Sequence, residues 1–183
     1  LHEDSLRLAG YIRNTYGENN YIVVLSENSV FFTTVYLAIM KSGNVSIPLN
    51  PVIESKSFDS ILEKTEAKHV FISKRFAKKF IDYKLEFLDN DFVYGILDKK
   101  NHQVIESADD FDSDRLAEII FTSGSTGTQK GVMISHKNII ANTDSIVEYL
   151  KLTQDDTIEV VMPFYYCYGL SLLHTHLRIG GSV

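Results

Sequence analysis

The sequence holds one cysteine, Cys167, no tryptophan and three prolines in 183 residues. A single cysteine excludes an internal disulfide framework and any cysteine-based metal cluster within the chain, which fits a reducing compartment and makes the cytoplasm the expected location. With so little proline, no low-complexity tract and 44% hydrophobic residues, the chain has the apolar mass for one sizeable core, and one compact domain over residues 1–183 is expected. Basic runs are missing too. The 24 acidic residues outnumber 18 basic ones for a net charge of -6, and no Lys/Arg-rich run is present to neutralise phosphates along a duplex, which argues against nucleic acid as a partner. Leu1 to Arg13 carries no basic segment followed by an apolar one, so no signal peptide is expected. The longest apolar stretch, Val30 to Met40, is interrupted by Thr33 and Thr34 and falls far short of the roughly 20 residues that span a bilayer. It reads as a buried core helix.

What is present alternates. Leu6, Ala9, Ile12, Arg13 and Tyr16 recur at helical spacing before Gly17, and Tyr21 to Leu25 reads as a strand. Ser26 to Ser29 supply turn and capping chemistry for a helix to Met40, after which Val45 to Pro48 reads as a strand. Beyond Pro51, Phe58, Ile61 and Leu62 share a face on a segment reaching Glu66, and His69 to Ile72 is strand-like. Such alternation, with continuous apolar strands, predicts an α/β layered fold with a mostly parallel sheet and helices on both faces. Phe92 to Leu97 and Gln103 to Glu106 read as an antiparallel hairpin, Ser107 to Asp114 as a solvated acidic loop, and Ala117 to Thr122 as a strand.

That strand leads into Thr122-Ser123-Gly124-Ser125-Thr126-Gly127-Thr128-Gln129-Lys130-Gly131. Glycines let several N–H groups turn towards one anion, hydroxyls add donors without charge, and Lys130 supplies countercharge, so the segment is suited to a polyphosphate. A flexible surface linker is the plain alternative, but linkers rarely sit between two strongly apolar β-type segments. The generic nucleotide loop G-x-x-x-x-G-K-[ST] does not fit: counted from Gly124, its glycine slot is Gln129 and its Ser/Thr slot is Gly131. That loop also opens a helix, whereas Gly131 to Ser135 reads as a strand and the next helix starts near His136.

Thr122 to Val132, with the continuation Met133-Ile134-Ser135-His136-Lys137-Asn138, resembles the signature loop of the AMP-forming adenylating enzymes: acyl and aryl CoA synthetases, luciferases and nonribosomal peptide adenylation domains. Gln129 departs from the proline usual there, so a somewhat looser loop with complete chemistry is expected. Tyr36 to Gly43 with Ile47 to Pro51, and Pro163 to Leu170, are similar to two further stretches of that family. The resemblance implies ATP and Mg2+ as cofactors and CoA or a phosphopantetheine carrier as the second substrate. It assigns Thr122, Ser123, Gly124, Ser125, Thr126, Gly127 and Lys130 to the phosphates, with Lys130 and Thr126 catalytic and Thr126 reaching the metal. Tyr166, at the position of the family's histidine or aromatic gate, and Gly169 would line the acyl pocket, although by residue type alone Tyr165, Tyr166 and Tyr168 are packing aromatics.

The resemblance also implies an amino-terminal fragment. The family's glutamate motif, ribose-binding aspartate, hinge and late lysine have no counterpart here, so the fragment alone is expected to be inactive and to self-associate through an uncovered apolar surface. The parent would activate a carboxylic acid and pass it to a thiol. Amino-acid activation in a nonribosomal peptide pathway is the rival, disfavoured because Met162-Pro163-Phe164 lacks the aspartate that holds an ammonium; a non-catalytic scaffold is the third reading. His174 and His176, two apart on a helix, point to different sides and make a poor metal site. His136 reads as structural, Cys167 as a small buried filler, Asp155-Asp156 as a polar turn, and Ile158 to Met162 as a strand.

Overall fold

A computed structural model of the chain describes residues 1–99, 111–122 and 129–183. Six strands form one sheet: β1 Tyr21–Leu25, β2 Val45–Leu49, β3 His69–Ile72, β4 Glu86–Leu88, β5 Leu116–Thr122 and β6 Lys130–Ser135, in the order β4-β3-β1-β2-β5-β6. Every neighbouring pair is parallel except β5 and β6. The helices are α1 His2–Tyr16, α2 Val30–Lys41, α3 Ser55–Thr65, α4 Asn90–Asp98, α5 His136–Leu150 and α6 Cys167–Ile179, with a 3₁₀ segment at Lys74–Phe80.

Strand alternation divides the interior. Ile22 and Val24 of β1 join Phe71, Leu88 and Ile120 in one cluster, closed by Leu8 and Ile12 of α1, most of α2, Val93 and Ile96 of α4, and Leu170 and Leu173 of α6. Val23 and Leu25 point the other way, with Ile47, Val70, Ile72 and Ile119 under Phe58 and Ile61 of α3 and Phe80 of the 3₁₀ segment. Both faces are covered, as parallel strands require, and the α/β layered expectation holds.

Two local expectations do not. Phe92 to Leu97 lies inside α4 rather than in a hairpin strand; its run of aromatic and β-branched residues imitates a strand, but Asp89 accepts a hydrogen bond from Phe92 N at 3.1 Å as a helix cap, and buried Val93 and Ile96 stand one turn apart. Gln103 to Glu106 lies outside the described residues. Ile158 to Met162 forms no named strand. Only Thr157 bridges to Ser182, and the amide of Asn28 donates to the carbonyls of Val160 and Met162 at 3.3 and 2.9 Å, taking acceptors that a ladder would use.

Asn44 fastens two connections at once. Its buried amide oxygen accepts from the backbone N–H and side chain of Asn20 at 2.8 and 3.0 Å, and its nitrogen donates to Gly17 O at 2.9 Å and Ser42 Oγ at 2.8 Å. On the far edge, β6 and α5 leave Val132, Met133, Ile140 and Leu150 exposed. No helix among the described residues is long and apolar enough to cross a membrane. Asn44→Ala should lower stability by about 1–3 kcal/mol, because buried backbone groups lose their partners. A shifted urea midpoint at constant m checks this, and an unmoved midpoint would mean water replaces the amide without loss.

Candidate functional site

The carboxyl ends of β2 and β5 face the same way, as parallel neighbours must, and the chain turns there into the connections that follow each strand. Between them lies a cavity of about 580 Å³ lined by residues from β2 and the turn after it, by Ile120, Phe121 and Thr122 of β5, by Gln129, and by Tyr165, Tyr166 and Cys167. Thr122 and Lys130 pair across β5 and β6, so the hairpin ends at the cavity with its connecting loop between them. Ser123, Gly124, Ser125, Thr126 and Gly127 of that loop lie outside the described residues, and so does any account of Thr126 as a metal ligand.

Packing fixes how the loop leaves the sheet. A Cβ on Gly131 would stand 2.8 Å from Ile119 Cγ2 and 3.2 Å from the Phe121 ring, so only glycine lets β6 lie this close over β5. Lys64, from the last turn of α3, donates to the Gln129 carbonyl at 2.7 Å. The loop's exit is therefore anchored where a proline was expected. Gln129 Oε1 is buried, with no hydrogen-bond partner among the described residues.

The aromatic side of the cavity is carried by the segment before α6. Asn28 holds it from below, accepting from Phe164 N at 2.7 Å while its amide nitrogen bonds the Val160 and Met162 carbonyls, and Phe164 packs on Phe32 of α2 at 5.3 Å between centroids. Tyr166 stands at the amino end of α6, half exposed beside Tyr165, and lines the cavity. Gly169 does not line it. It is buried where α6 presses on the preceding backbone, and a Cβ there would sit 2.3 Å from Pro163 O. Cys167, read as a buried filler, is exposed and faces the cavity.

Other side chains fall as expected or nearly so. His136 begins α5, whose capping box is made by Ser135 and Asn138, and its ring meets Phe111 edge-on at 4.9 Å. His174 and His176 diverge, towards Tyr36 and towards the Leu172 carbonyl. Asp156 closes a turn by accepting from Thr153 N and Oγ1 at 2.6 and 3.1 Å. No three His, Cys, Asp or Glu residues cluster as a metal site among the described residues.

The resemblance carried by Thr122 to Val132 is decided by comparison with known proteins: the AMP-binding enzyme family matches residues 1–183. The chain belongs to the AMP-binding enzyme family. It is similar to surfactin synthase subunit 1 of Bacillus subtilis, 27% identical over the whole chain but 5% of that protein, and to a CoA ligase of Gibberella moniliformis, 28% identical over 88% of the chain and 28% of that protein. Among solved structures, ATP-bound MatB from Rhodopseudomonas palustris superposes with a TM-score of 0.82 at 26% identity, covering 98% of this chain and 38% of that one. The chain thus spans well under half the length of these relatives. The relatives it matches include proteins named as nonribosomal peptide synthetases as well as the CoA ligase.

Sequence reading overlooked Glu118, a carboxyl 3% exposed in the middle of β5. Its signal was a charge inside the apolar run Leu116 to Phe121. Burial pushes Glu118 up to about 7 against the hydrogen bond from Tyr36, and burial pushes His174 down to about 4. The consequences for stability oppose each other. Glu118 holds its proton more tightly in the fold, so its contribution is complete below about 4.5 and lost as pH rises to about 7; that of His174 is complete above 6.5 and lost as pH falls to about 4. Glu118→Gln removes one side of this balance and should gain about 3 kcal/mol relative to wild type between pH 4.5 and 7.5. Urea unfolding at both pH values measures it, and a constant difference would mean the carboxyl is ionised in the fold throughout. Gly169→Ala should cost about 1–3 kcal/mol by overpacking and displace Tyr166; an unchanged melting temperature would contradict the tight crossing.

Proposed function

We propose that the protein carrying this chain activates a carboxylic acid with ATP to an acyl-adenylate, releasing pyrophosphate, and then passes the acyl group to a thiol of CoA or of a phosphopantetheine carrier. Residues 1–183 would be the amino-terminal part of its adenylation domain. The observation that carries the reading is a cavity walled on one side by Thr122 and Gln129, at the two ends of the hydroxyl- and glycine-rich segment, and on the other by Tyr165, Tyr166 and Cys167. One side offers a hydroxyl, with Lys130 next in sequence to Gln129 and paired with Thr122 across the hairpin, and the other offers aromatic surface to an acyl group.

In the first half-reaction a carboxylate oxygen attacks the α-phosphorus of ATP and the bond to pyrophosphate breaks. Lys130 is suited to the charge that grows on that leaving group, while Thr122 donates a hydroxyl at the loop's entrance. In the second, a thiolate attacks the acyl carbon and the bond to AMP breaks. Tyr166 borders the space where the acyl chain would lie. No three His, Cys, Asp or Glu side chains cluster among the described residues, and Thr126, which the resemblance assigns to magnesium, lies outside them.

Amino-acid activation is the second reading, and one observation favours it: Glu54 is a carboxylate on the cavity wall. Against it, Met162-Pro163-Phe164 supplies no acidic group. ATP–pyrophosphate exchange by the full-length protein, with aliphatic, aryl and amino acids in turn, separates them; exchange supported by amino acids alone would move the assignment to the second reading. Lys130→Ala should slow adenylate formation about 100- to 1,000-fold while nearly sparing thioester formation from supplied adenylate. Single-turnover rates of the two half-reactions decide this, since equal losses in both would put Lys130 at the wrong phosphate.

A further inference from the structure

Three polar side chains from distant parts of the chain meet inside the larger core cluster. The Tyr36 hydroxyl of α2, fully buried, donates to Glu118 Oε2 of β5 at 2.8 Å and lies 2.9 Å from His174 Nε2 of α6. Folding alone does not call for them, since buried polar groups cost stability unless each is satisfied, and an apolar trio of similar volume would pack as well. Their places suggest what they do. Four residues beyond Glu118, β5 ends at Thr122 beside the phosphate loop, and α6, which carries His174, begins at Cys167 on the cavity wall. The Tyr36 ring stands between Phe32 and His174, stacked at 5.8 and 5.7 Å between centroids, and Phe32 in turn supports Phe164.

We propose that Glu118, Tyr36 and His174 form a positioning relay that fixes the aromatic end of the cavity against the strand delivering the phosphate loop, and that its hydrogen bonds reverse direction when Glu118 gains a proton. With Glu118 ionised, Tyr36 donates to the carboxylate and accepts from His174 Nε2–H. With Glu118 protonated, the carboxyl donates to the Tyr36 oxygen, Tyr36 donates to His174 Nε2, and the ring proton sits on Nδ1. One proton added at β5 thus changes which nitrogen of an α6 side chain carries hydrogen.

The surroundings leave the exchange to these groups. Ser46, paired with Glu118 across β2 and β5, brings a buried hydroxyl that has no hydrogen-bond partner among the described residues, so the carboxyl has a polar neighbour on the sheet side. Arg115, on the same stretch of chain, is engaged by Glu18, Asn19 and the Gly43 carbonyl, and Arg178 of α6 by Asp144 of α5. His176 of α6 bonds the Leu172 carbonyl and Thr175, and Lys41, the basic residue ending α2, is exposed. The reversal falls near neutrality because burial raises Glu118 to about 7.

The relay's existence stands on geometry, and its catalytic consequence rests on the adenylation reading. The test uses the full-length protein with ¹⁵N-labelled histidine, the His174 signals being identified by their loss in His174→Asn. The ring should pass from the Nδ1–H to the Nε2–H form with a midpoint near 7, and Tyr36→Phe and Glu118→Gln should each abolish that response. A single form across the range, or a response that survives Tyr36→Phe, would overturn the relay. In ATP–pyrophosphate exchange, Tyr36→Phe should lower kcat about tenfold with KM for ATP within about twofold, as expected when reacting groups are slightly misplaced. A variant with reduced yield but unchanged kcat would overturn the positioning role. Absence of exchange in the wild type with every acid would sink the adenylation reading, while the ring nitrogens would still decide the relay.

Discussion

Helix α2 has almost no solvent-facing side, and the rest of the chain is arranged by the need to bury it. Phe31, Phe32, Thr33, Thr34, Val35, Tyr36, Ala38 and Ile39 are all buried, which covers positions all the way round the helix. A helix apolar on every side must be surrounded, so α1 packs along it, the sheet lies beneath it, and the segment around Phe164 and α6 closes over it. Ser29 sets where this helix starts by capping Phe32 N, and Asn28, one residue earlier, reaches the opposite way to hold the chain before α6. The residues that begin the central helix therefore also place one wall of the cavity.

The other wall comes from strand order. β5 lies beside β2 although α3, β3, β4 and α4 intervene in sequence, and this crossover brings the loop after β5 next to the turn after β2. Ligands in open α/β sheets bind at the carboxyl ends of strands where connections diverge, and the cavity here obeys that rule. β6 is antiparallel because the chain returns directly beside β5, pairing Thr122 with Lys130.

Much of this was legible in the residues, and the failures have physical causes. The bounds of β1, α2, β3 and α5 could be read because capping residues and continuous apolar runs agree there. The segment at Phe92 deceived because aromatic and β-branched residues carry strand propensity that a cap and one buried turn override. The segment from Thr122 to Gly131 is suited to a polyphosphate by composition alone, and Tyr166, which lines the cavity, was singled out through resemblance. Glu118, Asn28 and Lys64 were not found, since a charge in a strand, an amide in a turn and a lysine on a polar helix are each ordinary until the partner is known. Cys167 was misjudged for a related reason: aromatic neighbours in sequence do not enclose a side chain when their rings line an opening.

The bond between Lys64 and Gln129 makes the start of β6 answer to heat through α3. A proline at that position would narrow the backbone's freedom in the unfolded chain as well as in the folded one, and its restraint would persist at any temperature. An ammonium bonded to a carbonyl holds Gln129 only while the last turn of α3 stays wound, and helix ends fray before helix centres. The placement of Gln129 is thereby borrowed from a neighbouring element, so warming should free it at temperatures where the sheet beneath it is still intact.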